Sequence, residues 1–377
     1  MPTPEQKSPE RRSVSHSTSP VWRPEEASAA WLTDVLRDAG VIDTQRVVEV
    51  EAEPVGTGQM ADSVRLRLTY DVPASRAPAT VVGKFTPADE MSRTTALALR
   101  TSEVEVRFYQ EVAGTVGVRT PRCYFADVDT ASAAFALVLQ DMAPARQGDQ
   151  MAGCTVDEAA LALDELARLH APRWGDPALE HLAWLERRDD DDGEGSGELL
   201  RNLFEGFVDR YGADLDDGVI GVGRRLFPRI HDYLRPRSGP RTVQHADYRL
   251  DNLLFGTDPR SPTVTVVDWQ TVTLGPGPAD VSYFLGAGLM PEQRRAHEEA
   301  LVRHYHQRLI SGGVEDYSWD DCLTGYRRHA YAGYVMAVGA SMLVERTARG
   351  DEMFLTMARR HAAQVQDLDS ESLLSAD

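Results

Sequence analysis

The chain changes its hydrophobic period about a third of the way along. Val47 to Pro54 carries a period of two and predicts a strand. Val64-Arg65-Leu66-Arg67-Leu68-Thr69-Tyr70 alternates strongly and predicts a second one. The stretch between them, Gly56 to Ser63, reads as a hairpin turn carrying Gly56 and Gly58. Further strands are expected at Thr80 to Phe85, Val118 to Val128 and Ala134 to Leu139. Helical spacing marks Glu25 to Ala39, closed by Gly40, and Thr95 to Val112. Residues 40–140 are therefore β-rich with one long helix inserted.

Past Met142 the pattern turns helical. Thr155, followed three residues later by Glu158, is a capping box in front of a helix over 155–170. Asp189 to Gly197 is acidic and Gly-rich and is expected to be a surface loop. Helices are predicted at Leu199 to Tyr211, Val222 to Leu234, Pro291 to Ser311, Trp319 to Thr347 and Asp351 to Asp367. No internal repeat is visible. The expected fold class is α+β, with a small antiparallel sheet-plus-helix lobe ahead of a larger, mainly helical one. The boundaries read as a disordered tail at 1–24, an N-terminal lobe at 25–141 and a C-terminal lobe at 142–377.

Bulk properties narrow the function. The chain has 377 residues, 42% of them hydrophobic, enough for sizeable cores. A net charge of −19 argues against nucleic acid as a main partner, since a phosphate backbone demands a basic face. No run approaches the ~20 apolar residues of a membrane span, and the N-terminal stretch lacks an apolar signal core. Cys123, Cys154 and Cys322 are far apart and lack CxxC spacing, so a reducing cytoplasm is the expected location.

Candidate chemistry concentrates in His245-Ala246-Asp247-Tyr248-Arg249-Leu250-Asp251-Asn252, and in Val264-Thr265-Val266-Val267-Asp268-Trp269 just after it. An acid, an amide five residues on and a second acid closing an apolar run follow the order used for phosphoryl transfer from ATP. In that order Asp247 is the candidate base, and Asn252 and Asp268 are oxygen ligands suited to Mg²⁺. His245 is expected to support the loop. Taken alone, this stretch also fits a polar turn. Lys84 sits inside an apolar strand, where it must be paired or desolvated unless it points to water. Its partner should come from the following helix. Glu103 and Glu105 face nearly opposite ways there, and Glu105, beside Phe108 and Tyr109, is favoured with Glu103 as fallback. Gly56 and Gly58 permit close backbone approach to phosphates, although a Gly-containing turn alone is a weak signal. No Walker A sequence follows.

With these residues in order, the chain resembles the aminoglycoside phosphotransferase and choline kinase-like family, of protein-kinase-like bilobal fold. The match is carried by His245 to Phe255 and by Val266-Val267-Asp268-Trp269-Gln270, supported by Gly275 to Leu285. The Asp-Trp-Gln form and Asp280-Val281-Ser282-Tyr283-Phe284-Leu285 look most like its ecdysteroid-kinase-like branch. The resemblance covers about residues 40–290. It implies that Asp247 is the base, that Asn252 and Asp268 hold the metal, that Lys84 binds ATP phosphates and that Asp280 braces the catalytic loop. It also implies an interlobe hinge at Leu139-Gln140-Asp141-Met142 whose backbone meets adenine, so Gln140, Asp141 and Met142 join the nucleotide site. His-Ala-Asp replaces the protein-kinase His-Arg-Asp, and Trp269-Gln270 replaces Phe-Gly. These departures point to a small-molecule kinase using ATP and Mg²⁺ on a hydroxylated acceptor. A peptide acceptor and a silent nucleotide-binding pseudokinase are the alternatives. Trp174, Trp184, Tyr326, Tyr331 and Tyr334 are candidates to line the acceptor site.

Overall fold

A computed structural model describes residues 18–55, 61–72, 77–186, 194–235, 238–258, 260 and 263–374. The chain divides into two compact units, one of residues 1–114 and 122–141, the other of 115–121 and 142–377.

The first unit is built on an antiparallel sheet. Its elements are α1 (Ala29–Asp38), β1 (Val47–Pro54), β2 (Asp62–Tyr70), β3 (Thr80–Phe85), α2 (Glu90–Leu99), α3 (Thr101–Arg107), β4 (Cys123–Asp129) and β5 (Ala134–Gln140). The strands lie in the order β1-β2-β3-β5-β4. Alternation along β3 sends Val81 and Phe85 into the core and turns Lys84 to the other face. That core joins Trp31, Leu32, Val35 and Leu36 of α1 to Leu66, Val81, Phe85 and Val138 of the sheet. Ser28 caps α1 by accepting the Trp31 N–H.

The single helix expected at Thr95 to Val112 is instead broken. Asp89 caps α2, which starts at Glu90, and Arg100 adopts φ +57° between α2 and α3. A left-handed residue is a common way to end a helix. The break separates two kinds of surface. Leu97 and Leu99 stay exposed, whereas Val104, Val106 and Phe108 are buried, and α3 packs on β4 and β5. Phe108–Val112 then winds as one π turn.

The second unit is mainly helical. It holds β6 (Arg146–Gln147), α4 (Val156–His170), α5 (Glu194–Tyr211), α6 (Asp217–Leu226), α7 (Ile230–Leu234), β7 (Thr242–Gln244), β8 (Leu253–Phe255), β9 (Val264–Val266) and β10 (Thr273–Gly275). After these come α8 (Pro278–Gly288), α9 (Pro291–Ser311), α10 (Trp319–Arg328), α11 (Ala332–Leu343) and α12 (Ala348–Asp367). The strands form two small sheets, β6-β8-β9 and β10-β7. Thr155 and Glu158 make the capping box of α4. Segment 115–121 belongs to this unit because its main chain is spent there. Gly117 N–H donates to Arg168 O, Arg119 N–H to Glu165 Oε2, and Val266 N–H to Arg119 O.

Further expected features differ, among them the strand expected from Val118, which begins at Cys123. The helix over Val222 to Leu234 is interrupted at Phe227-Pro228-Arg229, where proline cannot donate to the helical ladder. Trp319 to Thr347 is two helices joined by a tight turn at His329–Tyr331. The end of the expected loop at Asp189 to Gly197 is already helical, since α5 starts at Glu194, and residues 189–193 lie outside the described ones. Among the described residues, no helix is long and apolar enough to cross a membrane.

Candidate active site

In the first unit, Lys84 and Glu105 meet. Lys84 Nζ donates to Glu105 Oε1 at 2.8 Å and to Oε2 at 2.6 Å. The Glu105 side chain is only 3% exposed and that of Lys84 15%, so this is a largely desolvated ion pair. Strand β3 supplies the lysine by alternation, and the break at Arg100 starts the separate helix that supplies the glutamate. Glu103 instead pairs with Arg100 at 3.0 Å. At the end of β5, Asp141 pairs with Arg65 of β2 at 2.7 Å. The Gln140 N–H donates to Arg122 O at 2.8 Å, which commits that amide to the sheet. Of the expected nucleotide-binding residues, Gly56 and Gly58 lie outside the described residues.

The second unit assembles the 245–252 loop from several elements. It leaves β7 at Gln244, and Ala246 takes φ +62°. A left-handed alanine costs roughly 1–2 kcal/mol. Asp280, on the first turn of α8, holds it in place. Its Oδ2 accepts the His245 N–H at 2.7 Å and its Oδ1 the Ala246 N–H at 2.9 Å. Behind Asp280 lies buried His170, with Nε2 at 3.3 Å from Oδ2 and Nδ1 at 2.8 Å from the Tyr305 hydroxyl. His245 Nε2 lies 3.0 Å from the Val267 carbonyl, and its Nδ1 lies 3.3 Å from the Asp247 N–H. A carbonyl only accepts and an N–H only donates, so the ring proton sits on Nε2.

Asp247 stands at the centre of this loop, its side chain 14% exposed. Its Oδ1 accepts the Tyr283 hydroxyl at 2.7 Å. Its Oδ2 accepts Arg249 Nε and Asn252 Nδ2, each at 3.1 Å. Arg249 also donates to Asp251 at 2.7 Å. Burial works against the Arg249 charge, but Asp247, Tyr283 and Asp251 outweigh it and raise its pKa. Burial, then the Asp247 carboxylate, pushes the Tyr283 hydroxyl well above its ordinary pKa. Asp251 Oδ1 accepts Gln150 N–H, and Gln150 Oε1 accepts Leu250 N–H, which ties the loop to the segment after β6.

The residues expected to hold a metal lie close in the chain's hydrogen bonding. Val267 N–H donates to Asn252 O at 3.0 Å, and Asp268 follows at φ +67°, with Gln270 Nε2 on its Oδ2. Asn252 gives its amide nitrogen to the Asp247 carbonyl and carboxylate. Its Oδ1 therefore points from the opposite side of the amide. An amide oxygen and a carboxylate are hard donors that fit Mg²⁺, which keeps several waters or phosphate oxygens besides its protein ligands.

Sequence reasoning missed Tyr283 and Arg249. Arg249 lay inside the motif and two residues from an acid, which is a usable signal. Tyr283 lies in an apolar run and reads as core, and only the fold brings it to Asp247. Of the aromatics expected at an acceptor site, Tyr326, Tyr331 and Tyr334 are packed in the interior instead. Tyr326 donates to Glu298 and Tyr334 to Val219 O, and the large helical core absorbs Tyr331 and Tyr334. Trp184 is also buried, and Trp174 meets Tyr317 in a tilted ring contact.

No curated protein matches the sequence. Several solved structures share the fold at low identity. A candidate aminoglycoside phosphotransferase from Ralstonia eutropha is 16% identical with a TM-score of 0.52, over 90% of this chain and 97% of that one. Choline kinase from Cryptosporidium parvum is 8% identical with a TM-score of 0.51, over 86% and 90%. Ethanolamine kinase from Plasmodium vivax is 9% identical with a TM-score of 0.50, over 94% and 95%. At these identities the likeness speaks for the protein-kinase-like fold alone. The sequence profile of the phosphotransferase enzyme family matches residues 91–319, more than half of the chain. This chain therefore belongs to the phosphotransferase enzyme family, as an enzyme of the class that phosphorylates alcohol groups.

Proposed function

We propose that this enzyme moves the γ-phosphoryl group of ATP, as its magnesium complex, to the hydroxyl of a small molecule, with Asp247 as the base. The observation that carries this reading is the held carboxylate of Asp247 on a loop braced by Asp280. In the step, the acceptor oxygen forms a bond to the γ-phosphorus, and its proton passes to Asp247. The bond from that phosphorus to the β,γ-bridging oxygen breaks, and its electron pair leaves with ADP. Such transfer needs positioned phosphates and charge neutralisation more than covalent help. Asn252 and Asp268 would hold Mg²⁺, which when bound neutralises phosphate charge. Lys84, steadied by Glu105, meets the phosphates, and Gly56 and Gly58 are assigned to the same role from the sequence. Asp141 and Met142 carry the hinge backbone that meets adenine, and the ladder bond of Gln140 makes it the least suited of the three.

The acceptor is a small hydroxylated molecule, an antibiotic, sterol-like compound or other metabolite. The fold's neighbours, named for aminoglycosides, choline and ethanolamine, support that size class. The test is a transfer screen with γ-labelled ATP and Mg²⁺ against hydroxylated metabolites and antibiotics, with Asp247→Ala as control. Label in a small alcohol with wild type and not with the variant is the expected result. Label only in peptides would move the acceptor to Ser or Thr side chains. No transfer and no ATP binding would overturn the reading.

A further inference from the structure

The carboxylate of Asp247 is more fully engaged than a lone base requires, and the pattern of its partners selects one oxygen. An ionised carboxylate offers about four acceptor sites, two on each oxygen. Oδ2 takes two donors, Arg249 Nε and Asn252 Nδ2. Oδ1 takes one, the Tyr283 hydroxyl. Among the described residues, the acceptor site that these bonds leave open is on Oδ1.

We infer that Tyr283 is a positioning residue, which fixes the Asp247 carboxylate so that Oδ1 receives the proton of the acceptor hydroxyl. This rests on the phosphotransferase reading of Asp247 given above. Tyr283 is suited to the task in three ways. Its side chain is 4% exposed, so water does not compete for the bond. Burial and the Asp247 carboxylate raise its hydroxyl pKa well above the ordinary value, which favours the protonated form that donates to Oδ1. Its ring is held on α8, one turn after Asp280, and lies against the buried His361 ring at a centroid distance of 5.7 Å. Arg249 holds the other oxygen and is itself anchored through Asp251 to the Gln150 segment and, by its Nη1, against Met353 of α12. With both oxygens gripped, the carboxylate cannot rotate to exchange them. Without the Tyr283 bond, Oδ1 is free to turn from the attack line, and small misalignments of a reacting group are costly in rate.

The test uses the full-length enzyme, Mg·ATP and label transfer to water or to an alcohol acceptor, compared across four proteins. Tyr283→Phe removes one oxygen atom and keeps the ring. It should lower kcat on the order of tenfold, the scale of one charge-assisted hydrogen bond, and leave the KM for ATP within about twofold. In the Asp247→Asn background the same change should have no further effect on kcat, because residues acting as one unit are non-additive. A purely structural tyrosine would lower thermal stability and act equally in both backgrounds. An unchanged kcat in Tyr283→Phe, or the same loss with and without the Asp247 carboxylate, overturns the inference. If Tyr283→Phe folds poorly, Arg249→Lys should lower kcat and keep the KM for ATP, and no effect there counts against the gripped carboxylate. If Asp247→Asn alone leaves turnover intact, the base assignment itself has failed, whatever Tyr283 does.

Discussion

Lys84 and Asp247 are both charges held away from bulk water, and they are held differently. Lys84 meets Glu105 directly, side chain to side chain, across a strand and a helix of the first unit. Asp247 is held by Tyr283, Arg249 and Asn252; Arg249 is in turn tied through Asp251 to Gln150, and Asp280 holds the main chain of the same loop. A direct pair can be read from sequence as a lysine in an apolar strand and an acid on the next helix. A network cannot, because its members are scattered from Gln150 to Met353. The difference also bears on failure. Removing one member of a desolvated pair strands a buried charge, whereas removing one donor from a network leaves the others.

The sharpest test of this contrast is at the centre of the network. Asp247→Ala should lower kcat by about 10²–10⁴-fold, the scale of a lost base and its positioning. Steady-state transfer measures it, and a change below tenfold would place the chemistry elsewhere. Asp268→Ala should remove Mg²⁺-dependent ATP turnover, read by a magnesium titration; retained turnover sinks the metal assignment. At the pair, Lys84→Ala should raise the KM for ATP and cost about 3 kcal/mol, because the buried Glu105 carboxylate loses the ammonium that faces it. Glu103→Ala should do neither, since Glu103 serves Arg100. Chemical denaturation and ATP kinetics on the two variants decide this.

Acid should separate the units. Nine of the ten histidines, all but His16, lie in the second unit. Two, the buried His361 and the half-buried His329, have pKa values lowered to about 4. Burial is the main cause for both His361 and His329, and nearby arginines add to it. The unfolded chain takes up protons at these sites below about 6.5, and the folded chain only near 4. Stability of the second unit should therefore fall as pH drops from 6.5 to 4 and be flat above that range. Tm measured against pH would show it, and a first unit that melts earlier across this window would contradict it. A smaller effect on stability is expected at Thr155→Ala. It removes the α4 cap and should cost about 1 kcal/mol, read as a small drop in Tm with kcat unchanged.

Much of the sheet was legible because alternation leaves little choice. Val47–Pro54 and Thr80–Phe85 appear with the bounds the sequence predicts. The capping box and the long helix Pro291–Ser311 were readable for equally local reasons. The helix breaks were harder. Pro228 was a usable signal that went unused, since proline within a helical pattern ends it. Arg100 offered none, because an arginine carries no helix-ending signal and its left-handed φ shows only in the folded chain. Within the site, the order of Lys84, Asp247, Asn252 and Asp268 was legible, and helix geometry favoured Glu105 over Glu103 as the partner of Lys84 without deciding between them, which the fold does. Tyr283 was not, because an apolar neighbourhood hides a polar tip.

Helix α8 carries Asp280 on its first turn and Tyr283 one turn later. The first grips two main-chain N–H groups of the loop and the second grips a side-chain oxygen of Asp247. Residues three apart on a helix are fixed relative to each other by its rise and pitch. One rigid rod thus gauges both where the loop runs and where its carboxylate points. The aim of the Asp247 carboxylate relative to its own loop is therefore set by the geometry of a single helical turn.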